Sequence, residues 1–242
     1  LQTVCSTFSY TFSNYDLNYV DLIFDLFVET AKQTIPQDFL FNFDYDLTSI
    51  LNAYYTPISC SIMFLKQLTP FQQLPIDDKL IVLKNNMKIL LLMLTNLLTK
   101  LLGISIHVNH PGLRNINNKI ACACSLFTDK VVNDNKLFVL LFIVFLFCPC
   151  LYTSESLYDV GCIDSHWRQV IQYMYDQYIK LLWYYLLEKS CHHENQAALV
   201  YMKIVTTLLH LQSSASELYD LIECLVPIDR LHILLVSVLH LS

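Results

Sequence analysis

The sequence predicts an all-α fold, and three observations predict it. The chain of 242 residues contains only three glycines and seven prolines, too little turn chemistry for a fold of many strands. Apolar residues make up 55% of it, enough to bury a large core. Several long segments repeat apolar residues at intervals of three, four and seven, the spacing that lines one face of a helix. No repeat, low-complexity tract or linker divides the chain, so residues 1–242 read as one domain.

Taken in order, Leu17–Ile35 carries Val20, Ile23, Phe27 and Ala31 on one side and stops at Pro36, which disfavours helix in the residue before it. Further on, Thr56-Pro57 pairs a capping residue with a proline suited to a first turn, so a helix begins or kinks there instead of running unbroken from Leu51. Ile89–Ile106 and Leu137–Tyr152 are almost wholly apolar. Such runs suit either helices buried on all sides or membrane spans, and a polytopic membrane protein is the remote alternative. Burial is favoured, because the first run contains Asn96 and Lys100 and the second falls short of the roughly 20 residues a bilayer requires.

Ile104–Val108 alternates and Asn109-His110-Pro111-Gly112 is rich in turn residues, which predicts one small β hairpin. Tyr152–His166 is polar and reads as a surface loop. Trp167–Glu188 places Trp167, Val170, Ile171, Met174, Tyr178, Leu181, Leu182 and Tyr185 on one helical face. A second long helix starts near Gln196, with Leu199, Met202, Val205, Leu209, Leu218, Leu221 and Leu225 as inward candidates, and ends before Pro227. A short apolar tail, Leu231–Leu241, follows.

The net charge of −6, with scattered rather than clustered lysines and arginines, argues against a grip on nucleic acid by this chain. Leu1–Asn14 is polar and mixed, so no secretory leader is expected, and an intracellular address follows. The nine cysteines lie mostly among apolar neighbours, as at Cys60, Cys122, Cys124, Cys148 and Cys150, which suits buried thiols. Cys191-His192-His193 and the two C-x-C pairs lack a paired CxxC framework, so no structural metal and no cofactor is expected. G-x-S-x-G, H-E-x-x-H, the P-loop and G-x-G-x-x-G are all missing, so no enzyme is expected.

One stretch carries specific information. Phe64-Leu65-Lys66 is followed by Pro70-Phe71-Gln72-Gln73-Leu74 and then by Asp77-Asp78-Lys79-Leu80-Ile81-Val82-Leu83-Lys84. This resembles the signature of nuclear receptor ligand-binding domains, in which a helix ends in F-x-K, a loop carries P-x-F-x-x-L and the next helix opens D-Q-x-x-L-L-K. It is most similar to the group containing the vitamin D, pregnane X and constitutive androstane receptors. Leu137–Pro149 resembles the family's eighth helix, and Val200–Glu217 its tenth, with Tyr201, Lys203, Leu208, Leu211 and Ser213 in matching places.

The resemblance implies a three-layer helical sandwich of about a dozen helices, acting in the nucleus as part of a transcription regulator. DNA is reached only through a separate zinc-finger domain. Lys66 and Lys84 are then expected at the ends of two helices, flanking a groove lined by Ile62 and Leu80 that receives coactivator or corepressor helices. The last helix contributes Val238 or Leu239, according to register, where the family has a glutamate that caps the partner helix. Tyr54, Pro57 and Ser61 match ligand-facing positions, Leu91, Leu94 and Leu98 line the same pocket, and Leu218 replaces a polar residue. Leu94 stands where the vitamin D type has an arginine, so the ligand is expected to be a neutral, hydrophobic small molecule, or the pocket to be filled. Ile89 replaces a glutamate of an ion pair usual in heterodimerising receptors. Val200, Lys203, Leu208 and Leu211 are expected at the interface of a homodimer or a retinoid X receptor-like heterodimer.

Overall fold

The computed structural model describes residues 17–36, 42–43, 48, 52, 54–102, 107–108, 134–148 and 165–239. Among these residues the chain is predominantly helical, with eight α-helices whose bounds are defined. In chain order they are α1 (Leu17–Thr34), α2 (Tyr55–Leu65), α3 (Thr69–Gln73), α4 (Ile76–Leu102), α5 (Asn135–Leu146), α6 (Ser165–Lys189), α7 (Glu194–Leu225) and α8 (Ile233–Leu239). A 3₁₀ turn, Ile228–Arg230, precedes α8.

The predicted face of α1 is the buried one: Val20, Ile23, Phe27 and Ala31 are all in the core. Its threonines are satisfied inside the helix, Thr30 donating to the Leu26 carbonyl at 2.8 Å and Thr34 to the Thr30 carbonyl at 2.7 Å. The start of α2 corrects the expected Thr56 cap, since the N-cap is Tyr54 and the helix begins at Tyr55. Pro57 is thereby the third helical residue, where a backbone N–H would have no partner within the helix, so the proline costs no hydrogen bond. Ile58 is the first to donate back, to the Tyr54 carbonyl at 3.2 Å.

The described parts of the two apolar runs belong to core helices. Every residue of α5 from Leu137 to Leu146 is buried, and α4 buries Ile89, Leu90, Leu91, Met93, Leu94, Leu97 and Leu98. No helix among the described residues is long and apolar enough to cross a membrane. α5 packs against α1, α4 and α6; α4 also meets α2, α7 and α8, while α1 lies on α2 and α6 on α7. Aromatic contacts join these helices. Phe27 meets Phe64 edge-on at 5.2 Å, Phe64 meets Phe142 at 6.3 Å, and Phe147 stacks on Tyr178 at 6.0 Å.

Alternation marked His107–Val108 as extended, and among the described residues it pairs in parallel with Asn42–Phe43, far back in the chain. The turn at Asn109–Gly112 and the loop Tyr152–Asp164 lie outside the described residues. The expectation for α7 is corrected. Its buried apolar residues are Ala197, Ile204, Leu208, Leu211 and Ala215, whereas Leu199, Met202 and Leu209 are 63%, 59% and 59% exposed. Two apolar stripes two residues out of register occupy nearly opposite sides of a helix, and periodicity does not say which one meets the core. The side chains of Leu218, Leu221 and Leu225 lie outside the described residues.

Candidate functional site

The segment from Phe64 to Lys84 is built by anchors and staples. Phe64, Leu65, Leu68, Phe71 and Leu74 are buried, and they fix the path of the chain between α2 and α4. Polar side chains tie the turns to one another: Gln72 Nε2 donates to the Lys66 carbonyl at 2.8 Å, Lys79 Nζ to the Gln72 carbonyl at 2.8 Å, and Gln67 Nε2 to Thr30 Oγ1 at 2.8 Å. Lys79 also lies over the Phe71 ring, 5.9 Å from its centre. α4 opens directly after Pro75, and its first-turn Asp77 and Asp78 meet the positive end of the helix dipole.

This framework leaves a definite surface. Lys66 is the C-cap of α2, its backbone N–H donating to the Ile62 carbonyl at 3.0 Å and its side chain exposed. Ile62 is partly buried, while Met63 beside it and Ile76 and Leu80 on α4 are exposed. Lys84 departs from expectation. α4 runs unbroken from Ile76 to Leu102, with no glycine or proline to interrupt it, so Lys84 lies inside a helix and is partly buried rather than sitting at an end. Met63 and Ile76 add exposed apolar surface that the sequence signals only by their apolar character.

The residues assigned to a pocket are brought to the inside of the molecule. Pro57, Ser61, Leu91, Leu94 and Leu98 are buried and Tyr54 is partly so. The Ser61 hydroxyl donates to the Pro57 carbonyl of its own helix at 2.9 Å. Cys60 beside it is a buried thiol whose pKa burial pushes up to about 12, which leaves it protonated and inert. Leu218 belongs to α7, and Val238 and Leu239 to α8, but the side chains of all three lie outside the described residues.

The assigned dimer residues divide. Lys203 is exposed and Val200 partly buried, but Leu208 and Leu211 face the core and do not form an outer surface. The exposed apolar residues on this helix are instead Leu199, Met202 and Leu209. Among the described residues no cluster of His, Cys, Asp or Glu is arranged to hold a metal ion. Cys191-His192-His193 forms the turn between α6 and α7, with Cys191 and His192 in the left-handed region at φ 49° and 63°. There the Cys191 N–H donates to the Glu188 carbonyl at 3.0 Å and the His192 N–H to the Leu187 carbonyl at 2.8 Å, which closes the end of α6.

Two polar clasps escaped sequence reading altogether. At the first, Asp134 caps α5, accepting from the N–H groups of Lys136 at 3.2 Å and Leu137 at 3.3 Å. The same carboxylate accepts from Tyr185 Oη at 2.6 Å and lies 3.0 Å from Lys189 Nζ, both on α6. Burial works to raise the Asp134 pKa, but Tyr185, Lys189 and the Leu137 N–H together outweigh it and hold the group below its usual value. Burial, and then the neighbouring Asp134, raise the Tyr185 phenol above its ordinary range. Lys136 reaches the other way, to Asp21 of α1 at 2.7 Å.

At the second clasp Asn52 Oδ1 accepts from the His232 N–H at 2.7 Å, and Asn52 Nδ2 donates to the Arg230 carbonyl at 3.0 Å. The His232 ring lies 4.1 Å from that of Tyr55, and its Nδ1 accepts from the Leu234 N–H at 3.1 Å.

No protein-family model matches this sequence, and comparison with curated proteins finds no match.

Proposed function

We propose that this chain is the ligand-binding domain of a nuclear receptor, a non-enzymatic module of a transcription factor that acts in the nucleus. On this reading it binds coregulator helices at the surface between α2 and α4 and dimerises through α7. The observation that carries the reading is the construction around Lys66. A helix ends on an exposed lysine next in the chain to buried Phe64 and Leu65, and the two helices that flank the following turn expose Met63 on α2 and Ile76 and Leu80 on α4. Such a surface suits the apolar face of an amphipathic helix, with the lysine at hand for the last carbonyls of that helix. The packing of α4 and α5 between the α1–α2 pair and the α6–α7 pair supports the three-layer sandwich of that family.

A second reading within the same fold is a ligand-independent domain with a filled pocket, acting as a dimer partner or repressor. It is favoured by the burial of Leu91, Leu94 and Leu98 and by the engaged Ser61 hydroxyl. Titration of LxxLL and longer corepressor-type peptides tests the groove. Lys66→Ala and Leu80→Asp should each weaken binding about tenfold or more, in line with the loss of about 1.4 kcal/mol. Equal binding by wild type and both variants would remove the assignment.

A further inference from the structure

The first turn of α8 is capped by an imidazole nitrogen. His232 immediately precedes α8, and its Nδ1 takes the Leu234 N–H at 3.1 Å, so the histidine plays the part that serine or aspartate usually plays at a helix N-terminus. Nitrogen can accept there only as long as it carries no proton. In the neutral ring the hydrogen must then sit on Nε2, and a second proton would turn the acceptor into a donor facing another donor. It would also set a positive charge at the positive end of the helix dipole.

The surroundings hold the ring in this role. Asn52 grips the backbone leading into it, through the His232 N–H and the Arg230 carbonyl, and the Tyr55 ring of α2 lies against the imidazole, tilted, at 4.1 Å. The groups that face the imidazole offer no compensation for a proton. Asn52 is neutral, Tyr55 presents its ring, and the turn before the histidine carries both Asp229 and Arg230. On α4, which packs against α8, none of Asp77, Asp78, Lys79 and Lys84 bonds to the ring, and neither does Lys66 of α2. Among the described residues His232 has no carboxylate partner, in contrast to His192, which lies 3.3 Å from Glu188.

We propose that His232 is a proton-sensitive latch for α8, keeping the first turn of the last helix docked on α2 and α4 when its ring is neutral and loosening it when the ring is protonated. Docking is then tighter at pH 8, where imidazoles in general are neutral, than at pH 5, where they are in general charged. Leu235, fully buried, remains the apolar anchor further along, so the effect is a loosening of the first turn and not the loss of the fold. The inference concerns the docking of α8 alone and holds whatever the domain binds.

Hydrogen exchange of the Leu234–Val236 amides in the full chain, corrected for intrinsic pH effects, tests it. Protection should fall roughly tenfold between pH 8 and pH 5 in the wild type, as expected for losing a cap and gaining an adverse charge. His232→Asn keeps a capping acceptor that does not titrate, so its protection should stay flat, and His232→Ala should be poorly protected at both pH values. Flat protection in the wild type, or His232→Asn following the wild-type decline, would overturn the proposal. A readout that needs no variant is the ¹⁵N shift of the ring at pH 8: a protonated Nδ1 in the neutral ring would overturn the cap itself.

Discussion

Replacing Asp134 by alanine should cost more stability than any other single change at a partly exposed residue of this chain, because one carboxylate serves two helices. It caps α5, which is buried from Leu137 to Leu146, and it receives the Tyr185 hydroxyl of α6 at 2.6 Å. Loss of the cap is worth about 1 kcal/mol. Loss of a hydrogen bond to a charged acceptor, leaving the hydroxyl of buried Tyr185 without a partner, adds roughly 2 kcal/mol. The Lys189 contact adds little, about 0.5 kcal/mol at most, because the lysine side chain is 58% exposed and solvent screens the pair. The sum is about 3 kcal/mol, a drop of roughly 1 M in the urea midpoint. Tyr185→Phe should lose only part of this, and the double variant should reveal a coupling of about 1–2 kcal/mol. The pH dependence has a defined sign. A carboxyl held below its unfolded value stabilises the fold above the ordinary carboxylate range, and that contribution disappears as pH falls through the lower folded value. The urea midpoints of wild type and Asp134→Ala should therefore converge in acid. A loss below about 1 kcal/mol at pH 7, or a gap that does not close in acid, would refute the reasoning.

Three further outcomes are expected. Leu199→Asp or Met202→Asp should abolish dimerisation in sedimentation experiments without unfolding the chain, whereas Leu208→Asp should unfold it by burying an unpaired charge; a wild type that stays monomeric at high concentration would remove the interface. In thermal-shift assays neutral sterols should stabilise the domain more than fatty acids, since Leu91, Leu94 and Leu98 offer a carboxylate no partner; strong stabilisation by a fatty acid would contradict this, and no response to either would favour the filled pocket. Asn86 is buried with its Nδ2 donating to the Leu146 carbonyl at 2.6 Å and its Oδ1 unpaired, so Asn86→Asp should be destabilised by about 3 kcal/mol or more at pH 7 and regain part of that as pH falls and the acid becomes a donor; equal urea midpoints for wild type and variant at pH 7 would refute it.

What could be read in the sequence was whatever depends on near neighbours. α1 and α6 follow their apolar periodicity closely, since each has one dominant stripe, and Val20, Ile23, Phe27, Met174, Tyr178 and Tyr185 are buried as the pattern requires. The ends of α1 and α7 before Pro36 and Pro227 follow from the proline ring alone. The partner of His107–Val108 could not be read, because strand pairing is a long-range choice that local alternation does not encode. Nor could either clasp, since Asp134 and Tyr185, or Asn52 and His232, are brought together only by the packing of whole helices.

The two stripes of α7 show how the illegible part bears on function. A helix with a single apolar stripe must turn it inward, so its orientation follows from its sequence. On α7 either stripe could have met the core; the buried one combines Ile204, Leu208 and Leu211 with Ala197 and Ala215, whose small side chains allow a close approach to neighbouring helices. Leu199, Met202 and Leu209 are left outside, where leucine and methionine confer no solubility. An exposed set of this kind at helical spacing is the residue pattern of a contact surface. Periodicity alone assigns this set to the core, and its exposure makes it a candidate dimer interface, for one reason: it has the composition of a protein interior.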